Sequence, residues 1–313
     1  MAPSIETFNL TKRYGDFTAL SNLTLSLKGS KVVGFLGPNG AGKTTTLKLL
    51  TDLIKASSGE AMINGQNVHT HKKAALASVG SLIEMPEIYP SLTPREALRM
   101  VAEIRGVSGS SKNSAIDEAL SEVKMTDWAD KRVGKFSKGM KQRVAVASTL
   151  IHDPQVLLLD EPSTGLDPRG MSEVREIVKG LKGKNRLVFM SSHLLAEVSE
   201  VCDEVAMIDH GKLLVYDTIP NVTSKFSDGN GSVDVGFAAP LDESRLGSVE
   251  RISGVVGLER LNPTSLRLKF SGGLPSQEQV LADLVKLNIG VVSFNKSSSA
   301  LEEVYLNLIK ETL

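Results

Sequence analysis

Gly37-Pro38-Asn39-Gly40-Ala41-Gly42-Lys43-Thr44 has the spacing G-x-x-x-x-G-K-[ST]. The apolar run Val32–Leu36 precedes it, and Leu47, Leu50 and Ile54 follow at helical spacing. The chemistry these residue types serve is phosphate binding. Glycines let the backbone wrap a phosphate with its N–H groups inward, and a helix N-terminus behind them adds its dipole. Lys43 then reaches the β- and γ-phosphates as a point charge, and the Thr44 hydroxyl is a ligand for Mg²⁺. The bland alternative is a glycine turn before an ordinary helix. Strand and helix signals on both sides of the loop argue against it.

A second group lies at Val156-Leu157-Leu158-Leu159-Asp160-Glu161, an apolar run ending in two carboxylates. Beside a phosphate loop, such a run puts Asp160 at the carboxyl end of a neighbouring parallel strand, where Mg²⁺ needs a hard oxygen ligand. Glu161 can accept a proton from an attacking water, or act as a plain loop or cap carboxylate. Ser191-Ser192-His193 follows the apolar Leu187–Met190, and a histidine there can hydrogen-bond a γ-phosphate. In Phe136-Ser137-Lys138-Gly139-Met140, Ser137 is a good N-cap. Gly139 costs helix stability unless close backbone approach is wanted, and a helix start with Ser, Gly and nearby cations suits a γ-phosphate. His69-Thr70-His71 has metal-like spacing but no third ligand nearby, and reads as solvated loop.

Positioning these groups takes an α/β domain. Strands are predicted at Ile5–Leu10, Leu20–Leu27, Val32–Leu36, Val79–Ile83, Val156–Asp160, Leu187–Ser191, Val205–Asp209 and Leu213–Tyr216, with a hairpin over Gly59–Val68 turning at Asn64-Gly65. Several are wholly apolar, as in a sheet covered on both faces. Between about residues 86 and 150 the pattern becomes helical, over Pro94–Arg105, Asn113–Val123 and Lys138–Ile151, with Gly106–Ser111 as an internal linker. The composition shifts at Ser224–Gly231. The expected division is a domain over residues 1–220 and a smaller one over 221–313. The latter reads strand, helix, strand, strand, helix, strand, helix, a ferredoxin-like α+β order. Its last helix, Leu301–Ile309, carries a second apolar stripe at Leu306, Ile309 and Leu313 as a candidate contact surface.

Composition narrows the function classes. The 313 residues carry 36 Lys plus Arg against 36 Asp plus Glu, which gives no electrostatic argument for a nucleic-acid partner. Nine Phe, four Tyr and one Trp are too few for a base-stacking platform. The single cysteine, Cys202, cannot close an internal disulfide, which fits a cytoplasmic location. Met1–Gly15 is polar where a secretory leader needs an apolar core, and no run approaches a membrane span.

In this order, the phosphate loop, Phe136–Met140, Asp160-Glu161, Ser163–Asp167 and His193 resemble the nucleotide-binding subunit of ATP-binding cassette (ABC) transporters, over residues 4 to about 220. The resemblance implies a P-loop NTPase core with an antiparallel β subdomain and a helical subdomain, using ATP and Mg²⁺. It carries over Gly37, Pro38, Asn39, Gly40, Ala41, Gly42, Lys43, Thr44 and Thr45 as nucleotide contacts. It adds Tyr14 as the ring stacked on adenine, and Ser137 and Gly139 of the signature segment. Thr44, Asp160 and Glu84 fall to Mg²⁺, and Lys43, Glu161 and His193 to catalysis. Lys138 and Met140 depart from the usual signature, in which a Gly and a Gln stand at those places. Glu84 stands where the family has a glutamine; a carboxylate there can ligate Mg²⁺ but cannot donate an N–H. Ser81–Pro86 and Tyr89–Thr93 are similar to the bacitracin, lantibiotic and multidrug exporter branch, and Leu301–Leu306 to the tail of such subunits.

With one phosphate loop and one signature segment per chain, the resemblance further implies a head-to-tail dimer with a second copy or a paralogue. It also implies a transmembrane permease, a place on the inner face of the membrane, and coupling through residues 84–110. The expected function is ATP hydrolysis driving export. The alternative is an ABC-type ATPase acting on ribosomes or DNA, whose relatives tend to carry two cassettes or a long coiled-coil insertion, neither visible here.

Overall fold

The computed structural model describes residues 2–84, 88–226, 230–271 and 274–296, together with Leu301, Val304, Tyr305 and Leu308. Met85 and Pro86, part of the Ser224–Gly231 boundary and the stripe at Leu306, Ile309 and Leu313 lie outside them. The chain divides into two units, Met1–Ile219 and Pro220–Leu313.

In the first unit the elements are β1 (Ser4–Tyr14), β2 (Phe17–Lys28), β3 (Lys31–Leu36), α1 (Lys43–Leu50), β4 (Ser58–Ile63), β5 (Gln66–Asn67), α2 (Lys72–Leu76), β6 (Val79–Leu82), α3 (Pro94–Ile104), α4 (Gly109–Glu122), α5 (Lys138–Leu150), β7 (Val156–Asp160), α6 (Pro168–Leu181), β8 (Leu187–Ser192), α7 (Leu195–Val201), β9 (Glu204–Asp209) and β10 (Lys212–Thr218). They build an antiparallel sheet of order β2-β1-β4-β5 and a larger sheet of order β10-β9-β3-β8-β7-β6. In the larger sheet β6, β7, β8, β3 and β9 run parallel, and β10 returns antiparallel to β9.

Alternation along these strands divides the interior into two cores. Val32, Leu157, Leu159, Val188 and Met190 face α3 to α6, joining Leu98, Ile116, Val144 and Val174. Val33, Phe35, Leu158, Leu187 and Phe189 face the other way, onto α1 and the smaller sheet, against Leu47, Leu50, Leu20 and Ile63. A strand buried on both faces must be apolar throughout, which is why these runs were conspicuous in the sequence.

The helical insertion is capped by local chemistry. Thr93 and Glu96 form a capping box ahead of α3, with Pro94 at its first position. The expected linker Gly106–Ser111 is corrected: α4 begins at Gly109. Serines favour the first turn of a helix as much as a linker, and here Ser111 donates to the Ser108 carbonyl. At its other end, α4 is fixed to the sheet by an ion pair. Glu122 accepts from Arg186 Nη1 at 2.6 Å, and Arg186 also donates to Asp153 at 2.8 Å. The Arg186 side chain is only 2% exposed, and its Nε has no hydrogen-bond partner.

After α8 (Ile219–Phe226), the second unit runs β11 (Asn230–Phe237), α9 (Glu243–Glu250), β12 (Val255–Asn262), β13 (Ser265–Ser271), α10 (Leu274–Lys286) and β14 (Val291–Lys296). Its sheet, of order β12-β13-β11-β14, is antiparallel throughout. Val233, Val235, Phe237, Leu266, Leu268 and Phe270 meet Val249, Val280 and Leu284, so this α+β unit has a core of its own.

Candidate nucleotide site

The chemistry-bearing residues gather at the carboxyl ends of the parallel strands, where an open α/β sheet leaves a crevice. The phosphate loop leaves β3 at Gly37. A Cβ there would lie 2.3 Å from the Ile208 carbonyl oxygen, so only glycine fits. Gly42 adopts φ 105° and backs onto Ala19, whose carbonyl oxygen would stand 2.7 Å from an added Cβ. The turn between β9 and β10 braces the loop from below: Gly211 N–H donates to the Ala41 carbonyl at 3.0 Å, and the Gly211 carbonyl accepts from Ser21 N–H at 2.8 Å.

Lys43 is 5% exposed. Its ammonium donates to the carbonyls of Gly37 at 2.8 Å and Pro38 at 3.0 Å, and lies 3.3 Å from Glu161 Oε1. Beside it, Thr44 Oγ1 donates to Asp160 Oδ1 at 3.2 Å, and Ser191 Oγ donates to the same oxygen at 2.5 Å. Ser191 Oγ in turn accepts from Glu161 N–H at 2.9 Å. Glu161 sits at φ 43°, a left-handed conformation that a non-glycine residue holds only when its surroundings fix it. The other carboxylate oxygen, Oε2, accepts from Thr164 Oγ1 at 2.9 Å and lies 3.1 Å from His193 Nδ1. Burial pushes the Glu161 carboxyl up, but Thr164, Lys43 and His193 together outweigh it and hold the group below the ordinary carboxylate range.

The structure thus brings Lys43, Glu161 and His193 together, and Thr44 with Asp160. Glu84 is drawn elsewhere: at φ 59° its carboxylate takes the Lys48 ammonium at 2.6 Å, with the side chain 69% exposed. That bond raises the Lys48 pKa against the opposing effect of burial, and the charges of Glu84 and Asp160 add to it. Tyr14 is 49% exposed at the end of β1, with the Lys12 ammonium 4.8 Å from its ring centroid, so the ring is not core packing. Ser137 caps α5 by accepting from Met140 N–H at 3.2 Å. A Cβ on Gly139 would lie 3.4 Å from the Gly170 Cα, an ordinary contact, so α5 and α6 pass close together here without requiring the glycine. The Lys138 ammonium lies against Gly165, within the Ser163–Asp167 segment.

Thr164, Ser191 and Lys48 had no role in the sequence reading. Thr164 and Ser191 lay within recognised segments and Lys48 just past one, but a hydroxyl or ammonium acquires its partner only through the fold. The Thr44 hydroxyl and Asp160 carboxylate are hard oxygens side by side, a donor set that fits Mg²⁺. Among the described residues there is no cluster of three His, Cys, Asp or Glu that could hold a metal. No helix among them is long and apolar enough to cross a membrane.

Comparison with known proteins agrees with this geometry. Residues 20–164 match the family model described as ABC transporter. The chain is 45% identical over 215 residues to the bacitracin transport ATP-binding protein BcrA of Bacillus licheniformis, covering 68% of this chain and 69% of that protein. It is 37% identical over 223 residues to the lantibiotic transport ATP-binding protein SrtF of Streptococcus pyogenes, covering 70% and 94%. A solved ATP-binding subunit of an ABC transporter superposes with a TM-score of 0.63 at 27% identity, over 71% of this chain and 92% of that one. These relatives are transport proteins, so the alternative of action on ribosomes or DNA is set aside. A phosphate loop, an Asp-Glu strand end and a histidine converging in this way, on a chain so closely related to transport ATP-binding proteins, belong to the ABC transporter family, here as an ATP-hydrolysing subunit of the exporter type.

Proposed function

We propose that this subunit hydrolyses ATP between two copies or paralogues arranged head to tail on the inner face of a membrane, driving a transmembrane permease that exports an antibiotic of the bacitracin or lantibiotic kind. The observation that carries the reading is the Glu161 carboxylate, held at once by Lys43, Thr164 and His193 beside the Thr44–Asp160 pair. The names of the relatives support the class of cargo.

In this mechanism the backbone of Gly37–Thr45 cradles the phosphates and Lys43 exchanges its carbonyl partners for phosphate oxygens. Tyr14 offers its exposed ring to the base. Thr44 and Asp160 would hold Mg²⁺, which would supply neutralisation of phosphate charge. Glu161, kept ionised by its neighbours, takes the proton of the attacking water, and His193 orients the terminal phosphate. Ser137 and Gly139 of the facing copy close over the same nucleotide. Glu84, paired with Lys48, belongs to the path toward the permease. The 221–313 domain is ferredoxin-like.

Two measurements check this reading. ATP turnover per chain is expected to rise with protein concentration as pairs form, and a value independent of dilution overturns the shared site. Lys43→Ala is expected to weaken ATP binding ~10- to 100-fold, the loss of a charge-assisted hydrogen bond to phosphate. Calorimetric titration measures it, and unchanged affinity removes Lys43 from the site.

A further inference from the structure

Behind Glu161 and His193 lies a third carboxylate that the chemistry above does not use. Glu197, on α7, is 2% exposed. Its Oε1 accepts a hydrogen bond from Ser163 Oγ, and its Oε2 accepts one from Ser192 Oγ at 2.5 Å. The two serines are themselves buried, at 1% and 2% exposure. Ser192 Oγ also accepts from Leu194 N–H at 3.0 Å, which fixes the backbone just past His193. Among the described residues Glu197 forms no ion pair.

A glutamate is almost never fully buried without a charged partner, and an apolar residue would fill this space at less cost. What a carboxylate adds is two acceptors on one rigid plane. The two donors it joins belong to different loops. Ser163 lies two residues after Glu161 and one before Thr164, whose hydroxyl holds Glu161 Oε2. Ser192 directly precedes His193, whose Nδ1 approaches the same oxygen. Seen from the crevice, Glu161 and His193 meet at 3.1 Å; seen from behind, their loops are bracketed by one side chain.

We propose that Glu197 is a positioning residue for ATP hydrolysis, setting the spacing between the loop that carries Glu161 and the loop that carries His193. The inference rests on Glu161 being the base. Without the bracket the two loops separate by a fraction of an ångström or more, and misplacement on that scale is costly to a step that depends on near-attack geometry. Phosphate contacts made by the loop after β3 are left in place, so the loss falls on turnover rather than on binding.

The test measures steady-state MgATP hydrolysis by the full chain. Glu197→Gln keeps the size of the side chain but turns one of the two acceptors into a donor, so one buried serine must reverse its hydrogen bond and lose the acceptor of its own O–H. The variant is expected to lower kcat ~10-fold with KM for ATP within about twofold. Ser163→Ala and Ser192→Ala should each lower kcat in the parent, and should lower it no further in the Glu197→Gln background, the non-additivity of a shared network. Unchanged kcat in Glu197→Gln, a rise in KM alone, or additive serine effects each overturn the proposal. Failure of Glu197→Gln to fold assigns a purely structural role and overturns it too. Glu161→Gln run in parallel separates the two readings: if it turns over normally, the base assignment fails; if it is inactive while Glu197→Gln is not, only the bracket fails.

Discussion

Replacing Glu161 by Gln is expected to lower ATP turnover ~10²- to 10⁴-fold while ATP still binds, the range of a lost general base. The amide has the shape of the carboxylate and can still accept from Thr164 Oγ1 through one oxygen. It cannot take up the proton of water, and it removes the negative charge 3.3 Å from the Lys43 ammonium. Lys43 keeps the Gly37 and Pro38 carbonyls, so the loop is not left with an unpaired buried cation. Phosphate release under single-turnover conditions and nucleotide binding, measured on the same preparation, check the result. Normal release removes Glu161 from the chemistry. The pH profile adds a second check. Because Glu161 titrates below its ordinary value of 4.5 in the folded protein, its carboxylate is fully present above that pH and is lost only as pH falls through the lower folded value.

The second large effect is on stability. Glu122→Ala is expected to destabilise the first unit by ~3–5 kcal/mol, because it strips the main partner from a buried guanidinium. Arg186 is always charged, its Nε has no hydrogen-bond partner, and the Asp153 carboxylate that remains is largely exposed. The penalty comes from the orphaned cation, so Glu122→Ala combined with Arg186→Met is expected to recover most of it, although each variant lacks the same ion pair. Urea unfolding of the two variants decides the point; a double variant no better than the single makes the pair a net stabiliser. The pH sign follows from Glu122. Burial pushes its carboxyl up, but Arg186 and Lys184 outweigh this and hold it below 4.5. Its contribution is therefore complete above 4.5 and fades as pH falls through the lower folded value. The single variant should lose the corresponding acid sensitivity.

Much of this was written locally. The glycine loop, the Asp160-Glu161 strand end and Ser191–His193 were legible because each couples a run of buried strand to a motif of fixed spacing, and a parallel sheet carries all such ends to one edge. The turn at Asn64-Gly65 was legible because both residues take positive φ there. What escaped the sequence was long-range pairing. Glu84 was assigned to Mg²⁺ by its place in the chain, yet its carboxylate lies on Lys48, 36 residues away. Glu197 sat in the first turn of a short helix, after Leu194-Leu195-Ala196, where a lone glutamate reads as a solvated helix residue, and only folding turns it inward. The start of α4 was missed because a Gly-Ser run has the composition of a connector whether or not it opens a helix.

The brace beneath the phosphate loop has a consequence for biosynthesis. Gly42 packs on Ala19, and Ala41 is tied through Gly211 to Ser21, so the cradle is assembled from backbone separated by nearly the whole length of the first unit. A nascent chain that has left the ribosome only as far as α6 already owns every residue of the motif, and Ala19 beneath it, but lacks the Gly211 turn that ties the floor together. Competence to capture nucleotide therefore arrives late in translation, after residue 211 emerges, rather than when the motif itself is made.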